Sequence, residues 1–198
     1  MTIWQGNNQT FELLLTLNKL DPYASYPKGF VWEIGIEQAV EALGGDFSYT
    51  KYWTQARFYA SLNKVAAGIT DNDFNWTDEN PLLFAARVRI GSSNKDELPA
   101  FARYSLGGMS SLRGYNSRSF EGSNMFLGNF EIRMPVNQML SLVAFYDIGN
   151  ADESFNWNDY HDDYGIGVRV KTPFGNLRVD YAHGEEESKT YFGFGEMF

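Results

Sequence analysis

The stretch "YGIGVRVKTPFGNLRVDYA", Tyr164–Ala182, holds two alternations joined by a tight turn. In its first half Tyr164, Ile166, Val168 and Val170 share one face, and Gly165, Gly167, Arg169 and Lys171 share the other. "TPFGN" reads as the turn, after which Leu177, Val179 and Tyr181 alternate with Arg178 and Asp180. Successive side chains of a strand point to opposite faces, so this stretch is a β-hairpin with one apolar face and one charged face.

The same period recurs along most of the chain, while the 3.6-residue period of an amphipathic helix is nearly missing. Nine strand candidates result: "TFELLLTLN", "FVWEIGIEQAVEA", "TKYWTQARFYASL", "LLFAARVRI", "MFLGNFEIRM", "LSLVAFYD", "YGIGVRVK", "LRVDYA" and "TYFGFGEMF". By parity their polar faces carry Glu12, Glu33, Glu37, Glu41, Glu131, Asp147 and Asp180. Lys51, Arg57, Arg87, Arg89, Arg133, Arg169, Lys171 and Arg178 face the same way.

A soluble all-β fold also alternates, and it stays the alternative reading of the pattern. Two features favour a membrane barrel. The polar faces are charged rather than merely hydrophilic. The connections also differ in length: "MPVNQM" and "TPFGN" are tight, whereas residues 92–123 and 148–162 are long polar excursions. An outer-membrane barrel has this asymmetry, with strands of about 9–11 residues that turn apolar side chains to lipid. Closure follows because an open sheet edge in hydrocarbon leaves backbone groups unpaired. Trp32, Tyr52, Tyr146, Tyr164 and Tyr191 lie near strand ends, as an aromatic girdle requires. The segment "NKVAAGITDNDFNWTDENP", residues 63–81, is too long for the short turn expected there.

Composition narrows the function classes. The chain has 198 residues, a formal net charge of −9 and no cysteine, so one domain over 1–198 is expected, with no disulfide and no nucleic-acid partner. No apolar run is long enough for a transmembrane helix, and "MTIWQGNNQT" has neither the basic nor the apolar region of a signal peptide. A secretory leader is therefore expected to be absent from this sequence. No cofactor or metal is expected.

Five motifs in order carry a family resemblance: "GGMSSLRGY" followed by "FEG", then "GNFEIRMP", "VAFYDIGNA", "YGIGVRVKTPFGNLRVDYA" and the ending "FGFGEMF". The chain resembles the C-terminal barrel half of the BamA/TpsB superfamily of outer-membrane assembly and secretion barrels, the bacterial surface antigen family. The resemblance implies an antiparallel transmembrane β-barrel, with about eight or nine strands in this chain and a long loop folded into the lumen. It also implies that the Arg-Gly-Tyr loop, here Arg113, Gly114 and Tyr115, docks its arginine on acids of the two following strands, Glu131 and Asp147. Parity independently places both acids inward. Gly107, Gly108 and Gly114 let the loop turn in a crowded interior. Arg118 is expected in solvent.

The family further implies insertion or translocation of proteins at the outer membrane of a Gram-negative-type bacterium. The partners would be lipid and lipopolysaccharide, and client outer-membrane proteins or a secreted passenger. The terminal strand with Phe192, Phe194 and Phe198 would be the assembly seam, open to a client strand by β-augmentation. An enzymatic role is not expected. A passive pore, or the membrane anchor of a lipase-like passenger, is the alternative. The chain departs from the family in having fewer strands and no soluble periplasmic repeats. An odd strand count leaves three readings open: a fragment, a small eight-stranded barrel with one strand extra, or a half that pairs with a second copy. Glu196 shares the parity of Phe194 and Phe198 and is out of place on an apolar face. "HDD" at 161–163 and "HGEEE" at 183–187 read as solvated loop tips, and the carboxylates of 149–163 as a weak contact for divalent ions or lipopolysaccharide.

Overall fold

A computed structural model describes residues 8–24, 26–41, 44–66, 76–77, 80–156 and 158–198. The strands are β1 (Thr10–Leu20), β2 (Gly29–Ala39), β3 (Tyr49–Ser61), β4 (Leu83–Ser93), β5 (Tyr104–Leu106), β6 (Phe120–Gly122), β7 (Asn124–Pro135), β8 (Leu140–Asp152), β9 (His161–Thr172), β10 (Gly175–His183) and β11 (Ser188–Phe194). One helical turn, Asn63–Ala66, follows β3.

Nine strands form a single antiparallel sheet in the order β1-β2-β3-β4-β7-β8-β9-β10-β11. Each strand thus pairs with its neighbours in sequence, except that the short hairpin β5–β6 is set into the β4–β7 connection. No ladder joins β1 to β11 among the described residues, so the sheet is open there.

Burial is the reverse of a water-soluble sheet. Phe11, Leu15, Ile166 and Phe192 are 60–76% exposed on the outer face. On the inner face Arg113, Glu131, Asp147, Asp163 and Asp180 are 0–1% exposed. Apolar side chains outward and ionisable side chains inward suit a sheet whose outer solvent is hydrocarbon. The parity read from Tyr164–Ala182 sets this arrangement, since a slip of one residue would turn every charge outward.

The two tight turns and two of the longer connections lie at opposite ends of the sheet, while the long β3–β4 connection shares the end of the tight turns. Residues 136–139 and 173–174 close β7–β8 and β9–β10. At the opposite end, 94–123 and 153–160 bridge β4–β7 and β8–β9. The segment 63–81 lies partly outside the described residues. Its base is closed by the Leu62 N–H donating to Leu82 O at 2.7 Å, and by Asn63 Oδ1 accepting from the Leu82 N–H at 2.9 Å. A connection pinned at its base can lengthen without changing the β3–β4 register.

Four details differ from the sequence reading. Tyr191 is not a girdle residue: its hydroxyl points inward and donates to Tyr115 O at 2.8 Å, since Tyr191 pairs with inward-facing Asp180. The terminal strand stops at Phe194, because Gly195 has φ +77° and turns the chain inward. Phe192 and Phe194 stay on β11, whereas Phe198 lies inside against Tyr59, Leu83 and Ala85. The 161–163 stretch is no solvated tip, for it opens β9 and buries Asp163 to 1% exposure.

Candidate functional site

The long β4–β7 connection folds back onto the inner face. Its hairpin β5–β6 supplies Tyr104 and Leu106, which pack with Leu112, Met125, Leu127 and Ala151 in an apolar cluster. That cluster offsets the entropy of ordering so long a loop. Gly107 and Gly108 take φ of +112° and +89°, conformations L side chains rarely adopt, and so reverse the chain toward the wall.

Arg113 sits at the bottom of this excursion, fully buried. Its Nε donates to Asp147 Oδ2 at 2.7 Å, Nη2 to Asp147 Oδ1 at 2.9 Å, and Nη1 to Glu131 Oε1 at 2.7 Å. Asp147 is therefore held in a two-pronged fork, the strongest geometry a guanidinium offers a carboxylate. Arg113 Cζ lies 3.4 Å from the centre of the Phe145 ring, so the cation also has an aromatic floor. Burial works against the Arg113 charge, but the bonds and charges of Asp147, Glu131 and Asp180 outweigh it and bind its proton more tightly than usual.

The adjacent strands extend this contact into a lattice. Asn129, opposite Asp147 in the β7–β8 register, donates to Asp147 Oδ1 at 2.8 Å and to Ser111 O at 2.7 Å. Arg87, opposite Asn129, donates to Asn129 Oδ1 and reaches Ser110 O, both at 2.7 Å. Arg133 donates to Glu131 Oε2 at 2.8 Å, and Arg169 pairs with Asp180 at 2.5 Å. Buried charges persist only when paired and hydrogen-bonded, and the lattice supplies both to Arg113, Glu131 and Asp147.

The structure thus brings together Arg113, Glu131 and Asp147 from three separate stretches. Gly114 lies directly over Asp163 and Gly184, where a Cβ would come within 2.6 Å of Asp163 Cβ and 2.7 Å of Gly184 Cα. Its φ is not positive, so its need is close approach rather than a turn. Tyr115 donates to Asp162 O at 3.0 Å and meets Phe120 edge to face at 5.1 Å. Burial, then the Glu185 charge, pushes its phenol up to about 12. Phe192 and Phe194 are outside this group. Arg118 pairs with Glu121 at 2.5 Å on a half-exposed side chain.

Sequence reasoning assigns no role here to Phe145, Asn129 or Asp163, and it puts Tyr191 in the aromatic girdle rather than against the loop. Parity put Asn129 with Glu131 and Arg133, and that signal could have found it. Phe145 breaks the apolar-outward rule: it faces Glu131 across the ladder, and its task is to stack on Arg113. No local pattern announces that.

Comparison with known proteins agrees with this architecture. The Omp85 superfamily domain model matches residues 4–198. Outer membrane protein assembly factor BamA of Nitratidesulfovibrio vulgaris is 33% identical over 202 residues, covering 86% of this chain and 23% of that protein. Outer envelope protein 39, chloroplastic, of Arabidopsis thaliana is 30% identical over 126 residues, 57% of this chain and 34% of that protein. The chain therefore spans about a quarter to a third of the length of these relatives. The crystal structure of Haemophilus ducreyi BamA lacking POTRA domains 1–3 superposes with a TM-score of 0.70 at 18% identity, over 92% of this chain and 40% of the other. CdiB from Acinetobacter baumannii gives 0.60 at 17% identity, over 84% and 30%. These likenesses show the fold. With the family model matched over nearly its whole length, the chain belongs to the Omp85 superfamily, a BamA-like family of outer-membrane β-barrels involved in protein insertion and transport.

Proposed function

We propose that residues 1–198 form one barrel domain of the outer membrane, which inserts or translocates client outer-membrane proteins. Its chemistry is strand exchange, with no covalent bond made or broken. The observation that carries this reading is β11: it pairs with β10 alone, so the backbone groups on its other side are unpaired in the described structure. An edge strand of this kind is a template for a further strand. At seven residues β11 is also shorter than β10, so a client strand displaces little. Lipid and lipopolysaccharide contact the outward apolar face.

In this reading the Arg113 lattice is a lock. It fixes the long loop to β7 and β8, and strand exchange at β11 then has to break the Tyr191 bond to Tyr115 O. The passive-pore alternative has less support, because residues 107–116 and 195–198 occupy inner-face space that a pore keeps open. A photo-reactive residue at Thr190 on β11 tests the seam directly. Cross-links to an incoming client strand are expected at Thr190 and not at Phe58, in the middle of paired β3. Equal cross-linking at both positions contradicts the assignment.

A further inference from the structure

The loop residues just beyond Arg113 border a cavity that neither the lock nor strand exchange uses. It holds about 230 Å³ and lies at the end of the sheet where the β4–β7 and β8–β9 connections run. Tyr115 and Phe120 line it from the loop, His161 from the start of β9, and Glu185, Glu186 and Glu187 from the β10–β11 turn.

Three rings make one wall. The His161 imidazole stacks on Phe120 with centroids 3.9 Å apart and planes 12° apart. Tyr115 meets Phe120 and His161 edge to face, at 5.1 and 5.8 Å, and its hydroxyl bond to Asp162 O keeps that ring in place. The acids make the facing wall. Glu187 is taken up by Lys189 at 2.6 Å and by Asn116 Nδ2 at 3.1 Å. Glu185 has only the imidazole beside it, with Oε2 3.7 Å from His161 Nδ1, too far for a hydrogen bond. Glu186 pairs with no cation among the described residues. His161 Nδ1 is closed off from water and has no hydrogen-bond partner there either, an arrangement that costs free energy until a partner arrives. The Tyr115 phenol registers the acids, since the Glu185 charge adds to burial in pushing it up to about 12.

We propose that this cavity binds an organic cation, a guanidinium or alkylammonium group on a short apolar stem. The stem lies along the wall of Tyr115 and Phe120, and Glu185 and Glu186 supply the counter-charge. With its own proton on Nε2, His161 accepts an N–H of the ligand at Nδ1. An aromatic face and a carboxylate attract a cation together, and a neutral group of the same shape gains neither attraction. A metal ion fits less well, because no three His, Asp or Glu side chains converge as ligands among the described residues. A bound cation bridges the loop to the β10–β11 turn, which meet there through Asn116 and Glu187. The inference rests on the cavity and does not require the client-insertion reading.

The probes are butylguanidinium, its neutral counterpart butylurea, and an arginine flanked by glycines with both ends capped. Each is titrated by calorimetry into detergent-folded protein, with the heat-modifiable gel band as the folding control. Butylguanidinium is expected to bind about tenfold or more tightly than butylurea. Its affinity should fall about fivefold or more when Glu185→Gln and Glu186→Gln are combined, and by a similar factor in Phe120→Leu, which keeps an apolar side chain but removes the ring. Glu97→Gln, an exposed acid of the same long connection that lies outside the cavity, should bind as the unaltered protein does. Tighter binding of the capped peptide than of butylguanidinium identifies the source as a polypeptide side chain, and equal binding identifies a free amine or guanidine; the site stands in both cases. Butylguanidinium bound no better than butylurea overturns the proposal. So does affinity unchanged in both cavity variants, or an equal loss in Glu97→Gln, which would mean diffuse attraction to an acidic surface.

Discussion

Arg113 concentrates the energetics of the loop in one side chain. Arg113→Ala leaves Asp147 and Glu131 buried with partners missing, a loss that typically costs about 3–5 kcal/mol. The loop then comes off the wall. Limited proteolysis should cut residues 107–122 in Arg113→Ala and in Asp147→Asn while sparing the unaltered protein, and equal resistance in all three contradicts the lock. Gly114→Ala pushes a methyl into Asp163 and Gly184, an overpacking of about 1–3 kcal/mol that should lower the temperature at which the folded gel band disappears. Tyr115 gives a pH test. Its phenol is raised from 10.0 to about 12, so folding favours the protonated form. The stabilisation is complete below about pH 10 and is lost as pH rises through about 12. Loop protection should therefore fall over that window, and Tyr115→Phe should remove the alkaline step. At this scale Arg113, Glu131 and Asp147 could be named from the sequence, because a motif supplied the arginine and parity supplied the acids. Phe145 could not, since its inward ring depends on where the Arg113 guanidinium arrives.

At the scale of the element, alternation decided the sheet and failed where its period failed. The hairpin β5–β6 was not foreseen, because strands of three residues are too short to show a period. β11 ends earlier than the alternation predicts for a related reason: "FGFGEMF" keeps the alternation through Gly195, and only the positive φ there ends the strand. Glu196, an anomaly by parity, is explained once the chain turns inward to Arg169. The outer faces offer their own test. Ile166 is 67% exposed on β9, and Ile166→Arg places a charge toward lipid at a typical cost of about 2–4 kcal/mol near the bilayer midplane. Folding yield in lipid vesicles should drop for Ile166→Arg and stay near normal for Ile166→Val. Equal yields mean that this face does not meet hydrocarbon.

For the whole molecule, an inside-out distribution of charge joins fold to function. The interior is a paired ionic lattice with the long loop locked into it, and the exterior is apolar. One edge of the sheet ends in a short strand whose tail crosses the interior. A rigid wall beside a weakly held edge is what strand exchange needs, because the wall keeps its register while the edge gives way. The sequence made the barrel and its inward acids legible, since both follow from a two-residue period. It left open how the sheet closes, because pairing between distant edges leaves no mark in local pattern. The most direct test of the account is to place the protein in lipid vesicles, add a urea-denatured outer-membrane barrel protein, and follow its folded, heat-modifiable gel band with time. The account predicts faster folding than in empty vesicles, with most of the gain lost in Asp147→Asn. Folding no faster than in empty vesicles would contradict it.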